Sequence, residues 1–323
     1  MKPTSYLSAL FRPSAPPAGE RPPCDFDLIS RYFYNCPAED TCHTIDAETT
    51  ADLDLNAVFE RIDRTTSKVG QQCLYARMRT LRGEEDAAAF GRSTDCFSRN
   101  GELAASCTKS LSRLTDEDAY GLQSLIFDTP AKVRYFAWVY PLTLLAVATL
   151  LAAPFYPLSL LLFMAIFAVN LYIHYSNKLN VSLYGSAVKQ LSLALRTARE
   201  LAVEEVPGTE EATGQIRQVA EVERRSRVVG TQGDSANELA AIAWLFIELA
   251  KVAFNIEVIL FQRFIGSITA RRDAIHGMFR FIGETDAAIS VARLRSETQT
   301  CRPQFVDGKY LKAEQVVHPL IDG

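Results

Sequence analysis

A long apolar stretch over residues 135–173 constrains this chain more than any other feature of its sequence. It contains no Asp, Glu, Lys, Arg or His, and Pro154 and Pro157 interrupt it near its middle. As one continuous helix it would be roughly 58 Å long, close to twice the ~30 Å hydrocarbon thickness of a bilayer. Two nearby prolines favour a tight turn instead. The sequence therefore predicts a two-helix transmembrane hairpin over residues 132–178.

Basic and aromatic residues flank this stretch as they flank many membrane hairpins. Lys132 and Arg134 precede it, Lys178 follows it, and Tyr172 and Tyr175 lie at its exit. An excess of Lys and Arg marks the cytoplasmic side of a span, and Tyr is enriched at the membrane interface. The predicted location is the cell inner membrane, as a multi-pass hairpin with the body in the cytoplasm. The alternative is a helical hairpin buried in a large soluble core.

The rest of the chain has the composition of an ordinary globular protein. Of its 323 residues, 48% are hydrophobic and 22% are charged, and the formal net charge is −4. This balance argues against a strongly basic surface for nucleic acid. The seven cysteines include no C-x-x-C pair, and their odd number favours a reducing, cytoplasmic compartment.

The first 44 residues are predicted to form a proline-rich, partly disordered arm. Its aromatic part, residues 25–43, is expected to be a loop with buried thiols. Cys36, Cys42 and His43 lie close together in the sequence, but their spacing matches no standard zinc pattern. No metal-ligating residue is predicted.

Helical periodicity on both sides of the apolar stretch predicts an all-α fold. Leu55, Val58, Phe59 and Ile62 follow the i, i+3, i+4, i+7 spacing of one helix face. The polar residues just before position 68 offer an N-cap for the helix that follows. A long helix is also predicted over residues 178–206.

A second apolar stretch covers residues 236–264. Glu248, Lys251 and Glu257 lie inside it. One charge near the centre of a bilayer costs ~2.5–3.5 kcal/mol on insertion scales. We therefore predict a buried core helix here, with a third transmembrane span as the alternative.

Within residues 53–81, Asp63, Thr65, Gly70 and Leu74 form a spaced motif. The motif resembles the pattern L-D-x-T-x-T-x-x-G-x-R-x-L at the start of the core, or lever, domain of the MutS family of DNA mismatch-repair ATPases. Gln72 stands where the family has its arginine, and the family's tryptophan is absent, which points to a divergent branch. The roles expected of these residues are structural: a helix cap before the glycine, and close helix packing at Gly70.

Three segments near the C-terminus extend this resemblance. Residues 281–292 (FIGETDAAISVA) resemble the segment that closes the family's core, residues 301–305 (CRPQF) its R-P-x-F strand, and residues 317–321 (VHPLI) the segment that opens its ATPase domain. The resemblance implies a MutS-core-like helical bundle with long helices and a short β segment at the C-terminus. The transmembrane hairpin is inserted about where the family's core carries its DNA-gripping clamp.

The expected organisation has five parts. They are an N-terminal arm (1–44), a first part of the helical core (45–131), the transmembrane hairpin (132–178), a second part of the core (179–300) and the start of an ATPase domain (301–323).

The resemblance implies that an ATPase domain follows Gly323, binds ATP and Mg²⁺, and forms a homodimer. No G-x-x-x-x-G-K-[ST] phosphate loop occurs in the chain. No catalytic, cofactor-binding or metal-binding residue is therefore predicted within it, and ATPase activity is implied only for a longer family member. The first hypothesis is a membrane-anchored lever that couples such a domain to DNA or to a partner. The alternative is a stand-alone membrane scaffold with a helical cytoplasmic body and no DNA or nucleotide role.

Overall fold

A computed structural model describes residues 24–36, 41–129, 133–226, 238–303, 310 and 312–321. The proline-rich residues 1–23 and the second half of the CRPQF segment lie outside these ranges, as does Lys132. Helices account for most of the described residues, which confirms the all-α prediction.

Two short 3₁₀ helices, Ser112–Leu114 and Glu117–Gly121, accompany fourteen α-helices and two short β-strands in the described part. In chain order they are α1 (Phe26–Ile29), α2 (Arg31–Asn35), β1 (Thr41–Thr44), α3 (Ala47–Asp52), α4 (Leu55–Ile62), α5 (Lys68–Arg79), β2 (Thr80–Arg82), α6 (Glu84–Arg99), α7 (Gly101–Leu111), α8 (Leu122–Phe127), α9 (Phe136–Ala152), α10 (Ser159–Val203), α11 (Thr209–Ser226), α12 (Glu238–Ala253), α13 (Ile256–Thr269) and α14 (Arg272–Glu297).

Helix α14 is the central element of the core. It packs along α5, α6, α8 and α11, and about half of its residues are buried. Ile275, Met278, Ile282 and Ile289 form one apolar face at helical spacing. Burying an aliphatic side chain of this size contributes ~1.5–3 kcal/mol, so this face is a large part of the stability of the core.

Two glycines let α5 and α14 approach closely. A Cβ at Gly70 would overlap the carboxylate of Asp286, and a Cβ at Gly283 would overlap the thiol of Cys73. The expectation of close packing at Gly70 is therefore confirmed.

Helix α10 is 45 residues long and uninterrupted. At 1.5 Å per residue it spans roughly 68 Å. Its C-terminal part buries Leu191, Leu195, Ala198 and Leu201 in the core. The predicted boundary between hairpin and core, at residues 178–179, thus lies within a continuous helix. At residue 178 the helix changes from apolar on all sides to apolar on one face only. No helix-breaking residue accompanies that change, so the helix continues through it.

Helices α9 and α10 form an antiparallel pair joined by a turn at residues 153–158. At the open end, the backbone N–H of Arg134 donates to Asn177 Oδ1 at 2.9 Å. At the turn, Ser159 Oγ donates to the carbonyl oxygen of Thr149 at 3.0 Å. The expected helix–turn–helix geometry is present, and the prolines lie in the turn.

The segment predicted as a loop with buried thiols contains helices. In α1, the side chain of Asp25 caps the helix by accepting from Leu28 N at 3.2 Å. Ile29 and Tyr32 are buried in the core, whereas Cys36 is only partly buried and Cys42 is exposed. Aromatic and aliphatic side chains, rather than thiols, therefore attach this segment to the core.

The described β structure lies at residues 41–44 and 80–82, and the β segment predicted at the C-terminus lies partly outside the described residues. Strands β1 and β2 pair antiparallel, with Thr44 opposite Thr80. The described residues 301–303 and 312–321 contain no strand and are exposed. No strand pairs with them in the described part of the chain, and Ile321 N donates instead to the carbonyl oxygen of His318 at 3.1 Å.

The prediction of one buried core helix over residues 236–264 is wrong. The stretch breaks at Asn255, whose φ of 49° is left-handed, and the two helical segments Phe246–Ala253 and Ile256–Thr269 meet at 65°. Helix α13 buries Phe261 and Phe264, but Phe246 of α12 is 67% exposed.

Replacing Gly70 with alanine is expected to destabilise the fold by about 1–3 kcal/mol or more, because the carboxylate of Asp286 is held in place and cannot move away. Gly214→Ala is the matched control: Gly214 is also helical, but nothing lies within 4 Å of its added Cβ. That change is expected to stabilise the protein by ~0.5–1 kcal/mol. Denaturant unfolding of both variants measures the difference, and equal effects would contradict the packing account.

Candidate functional site

The apolar residues of α9 and α10 form a large exposed surface. Leu144 and Leu151 of α9 are 72% and 71% exposed, Phe155 in the turn is 80% exposed, and Leu161 of α10 is 67% exposed. Soluble monomers rarely expose contiguous apolar patches larger than a few hundred Å², so such a surface indicates a membrane or a partner.

Within α10, the segment Ser159–Lys178 is long and apolar enough to span a membrane by length and composition. Only 17% of its most apolar window is buried in this chain. A hairpin enclosed by a soluble core, the alternative considered from the sequence, does not describe this surface. Helix α9 is apolar but has 17 residues, at the short limit for a span.

The break between α12 and α13 packs against the two helices of the hairpin. Asn170 of α10 donates from Nδ2 to the carbonyl oxygen of Ala253 at 2.6 Å. Thr143 of α9 donates from Oγ1 to the carbonyl oxygen of Phe254 at 3.1 Å. These bonds satisfy carbonyl groups that the break removes from the helical pattern, which apolar surroundings require.

The charged residues of the second apolar stretch interact with one another. Lys251 Nζ lies 2.7 Å from Glu248 Oε1 and 3.7 Å from Glu257 Oε1. His174 Nδ1 of α10 lies 3.7 Å from Glu257 Oε2. Mutual pairing lowers the cost of placing these groups beside apolar helices.

A second site lies in the core, where Asp286 brings together the two motifs that carry the MutS resemblance. Its buried carboxylate accepts hydrogen bonds from Ser67 N and Ser67 Oγ, both at 2.6 Å, and from Thr66 N at 3.0 Å. Ser67 Oγ in turn accepts from Gly70 N at 2.9 Å, and thereby caps α5. The predicted cap is confirmed.

Asp63 stabilises the turn that leads into this cap. Its Oδ1 accepts from Thr65 N at 2.8 Å and from Thr65 Oγ1 at 2.6 Å, and its Oδ2 accepts from Gln71 Nε2 at 2.8 Å. Gln71 Oε1 accepts from the buried Tyr120 hydroxyl. These motif residues therefore have structural roles, as expected.

Two further bonds join the same turn to α14. The backbone N–H of Arg64 donates to Ser290 Oγ at 2.8 Å. Arg293 Nη1 lies 3.2 Å from the carbonyl oxygen of Arg64, and its Nη2 donates to Thr108 Oγ1 at 2.5 Å. The sequence offered no direct sign of these partners.

Burial raises the pKa of Asp286 to about 6, although the bonds from Ser67 and Thr66 act in the opposite direction. The carboxylate is enclosed by Gly70 and the N-terminus of α5. It holds two helices together and is not positioned to react with a ligand.

Other residues considered from the sequence do not converge. Cys36 ends α2, whereas Cys42 and His43 lie in β1, and no group of three His, Cys, Asp or Glu side chains suited to a metal occurs among the described residues. His318 lies in an exposed turn, where its Nδ1 accepts from Leu320 N at 3.2 Å.

The chain matches no protein-family model, no curated protein and no solved structure in three separate comparisons. Membership of the MutS family stays a prediction that depends on the motifs and on the contacts between them.

Asp286→Asn is expected to change how stability depends on pH. The ordinary pKa of an aspartate is 3.8, whereas that of Asp286 in the folded protein is about 6. The folded state therefore binds the proton of this carboxyl group more tightly than the unfolded state does. The free energy of unfolding contributed by this group is greatest below pH ~4 and falls by up to about 3 kcal/mol as the pH rises past ~6. The asparagine variant lacks this fall. Denaturant unfolding of both proteins between pH 4 and 8 measures it, and parallel curves would contradict the prediction.

Proposed function

We propose that this chain is the membrane-anchored core, or lever, of a MutS-like protein that couples a C-terminal ATP-binding domain to DNA or to a partner. The observation that supports this most directly is the continuity of α10. One helix joins the exposed apolar surface to the core, with no flexible connection between them.

A lever must transmit displacement, and the packing of α10 suits that task. Its apolar half pairs with α9, and its other half packs against α7, α8, α11 and α14. Because packed helices move as rigid units, a tilt of the anchor would shift α14. Helix α14 carries Asp286 and ends at Glu297, shortly before the segment that resembles the entry to an ATPase domain.

The contact between the two motifs supports the family assignment. The two segments that carry the resemblance are more than 200 residues apart in the sequence, and Asp286 of one accepts hydrogen bonds from three donor groups of the other. In this proposal ATP and Mg²⁺ bind the domain beyond Gly323, and that domain forms the homodimer. In this proposal the hairpin occupies the place of the family's DNA-gripping clamp.

In the same proposal, the hairpin crosses the inner membrane twice and leaves the core in the cytoplasm. Arg134 and Lys178 are exposed at its open end, and Tyr135 and Tyr172 lie beside them with ring centroids 5.8 Å apart. Basic and aromatic residues at one end of a hairpin suit the cytoplasmic interface.

A stand-alone membrane scaffold is the second candidate. The exposed apolar surface and the pairing of charges around Lys251 support it, because both concern membrane attachment alone. Intact mass of the native protein separates the two. A mass near 35.9 kDa favours the scaffold, whereas an additional ~150–250 residues favours the lever.

Leu161→Arg and Leu145→Arg are expected to prevent stable membrane insertion. Leu145 lies at the middle of α9, where a charge costs ~2.5–3.5 kcal/mol, whereas Leu161 lies near the start of α10, where the cost is smaller. Leu53→Arg is the matched control, because Leu53 is 53% exposed on the body of the protein. The measurement is the amount of each variant that stays in the membrane fraction after a carbonate wash. A wild-type protein that is soluble and monomeric without detergent would refute membrane insertion.

Tyr175→Pro tests the lever, with Tyr175→Ala as its control. Both variants lose the same exposed side chain, but only proline breaks the backbone hydrogen bonds of α10. We expect the effect of membranes on the ATP hydrolysis rate of the native protein to disappear in Tyr175→Pro and to persist in Tyr175→Ala. Thermal unfolding verifies that the core is intact. Unchanged membrane sensitivity in an intact proline variant would contradict a lever, and no hydrolysis by wild-type protein would favour the scaffold.

A further inference from the structure

A cavity of about 690 Å³ lies between α11 and α13, and we name it the basic groove. Its walls combine three arginines with an apolar floor and a hydroxyl group. Its lining includes Arg224, Arg263, Arg271, Leu260, Phe264 and Ser267.

The lining of the basic groove is positive. No acidic residue is among its lining residues, and Arg224 and Arg263 are exposed and form no ion pair with any residue that the structure describes. Arg271 is partly neutralised by Glu221, at 2.7 Å. Two guanidinium groups that have no ion-pair partner in the described part of the chain, beside a cavity, are suited to a phosphate, which they bind through paired N–H donors.

Helix α13 lines the basic groove and also packs against the apolar helices α9 and α10. At the start of α13, Val258 packs with Val139 of α9 and Ile173 of α10. Arg263 lies five residues further along the same helix, roughly 8 Å away at 1.5 Å per residue. The headgroup layer on each side of a bilayer is about 5–8 Å thick. For an α13 axis along the membrane normal, Arg263 lies at headgroup depth when Val258 lies at the edge of the hydrocarbon.

We propose that the basic groove binds the phosphate headgroup of an anionic phospholipid. Arg224 and Arg263 contact the phosphate, and Leu260 and Phe264 contact the glycerol and the first carbons of the acyl chains. A lipid suits the groove better than nucleic acid does, because apolar side chains line its floor and the chain as a whole has a net charge of −4. This inference depends on the membrane attachment in the proposed function.

The test uses the purified full chain in nanodiscs of phosphatidylcholine that contain phosphatidylglycerol as a minor component. Native mass spectrometry counts the phosphatidylglycerol molecules that stay bound to the released protein. Wild-type protein is expected to retain one in preference to phosphatidylcholine. Arg224→Gln combined with Arg263→Gln is expected to lower that preference by about thirtyfold, because two arginines that each contribute ~1 kcal/mol near an anionic membrane contribute ~2 kcal/mol together.

Arg196→Gln combined with Arg199→Gln is the matched control, because both arginines are exposed on α10 away from the groove. Its preference is expected to equal that of wild-type protein. Ser267→Glu places a negative charge in the groove and is expected to reproduce the loss if the double variant does not fold. Equal losses in the groove and control variants, or no preference in wild-type protein, would overturn the inference and leave the proposed function intact.

Two further measurements distinguish a lipid phosphate from inorganic phosphate and from the phosphates of nucleic acid. Stabilisation of detergent-solubilised protein by inorganic phosphate, equal to that by phosphatidylglycerol, would show a general anion site and overturn the lipid assignment. Displacement of the lipid by duplex DNA in wild-type protein but not in the groove variant would assign the groove to nucleic acid. Failure of wild-type protein to enter any nanodisc would refute the membrane attachment itself, and this inference with it.

Discussion

The carboxylate of Asp286 holds together the two parts of the chain that the apolar hairpin separates. It accepts hydrogen bonds from the N-terminus of α5, where unsatisfied N–H groups and the helix dipole favour a negative charge. Gly70 makes this approach possible, because any side chain there would overlap the carboxylate. Replacement of either residue therefore affects the same junction, and their effects on stability are not expected to add.

Helix α10 connects the core to the exposed apolar surface. It is continuous through residue 178, so the position of the apolar surface relative to α14 is set by helix geometry and not by a linker. The break at Asn255 lies against the same surface and is secured by Asn170 and Thr143. Together these contacts join the apolar bundle to the core at two points, through α10 and through α13.

Much of the helical structure could be predicted from periodicity. Residues 55–62 form α4 as expected, and Ser67 caps α5. Where the predictions were wrong, non-local packing decided the outcome. Residues 25–36 are too short and irregular in pattern to indicate a helix, and the contacts of Ile29 and Tyr32 with the core stabilise α1 and α2 there. Residues 236–264 were predicted to be one helix because nothing in their composition marks Asn255 as a break. Hydrogen-bond partners on α9 and α10 stabilise the bend there.

The sequence by itself determined the helical class, the length of the apolar stretch and the caps, because each depends on residues within a few turns of one another. It also determined that charges are excluded from residues 135–173. Only the tertiary structure decided that the apolar helices are exposed and that Asp286 meets Ser67, 219 residues away. It also placed Arg224 and Arg263 on one groove. An aspartate or arginine accepts many partners, and its own sequence neighbourhood does not specify which one the fold brings near.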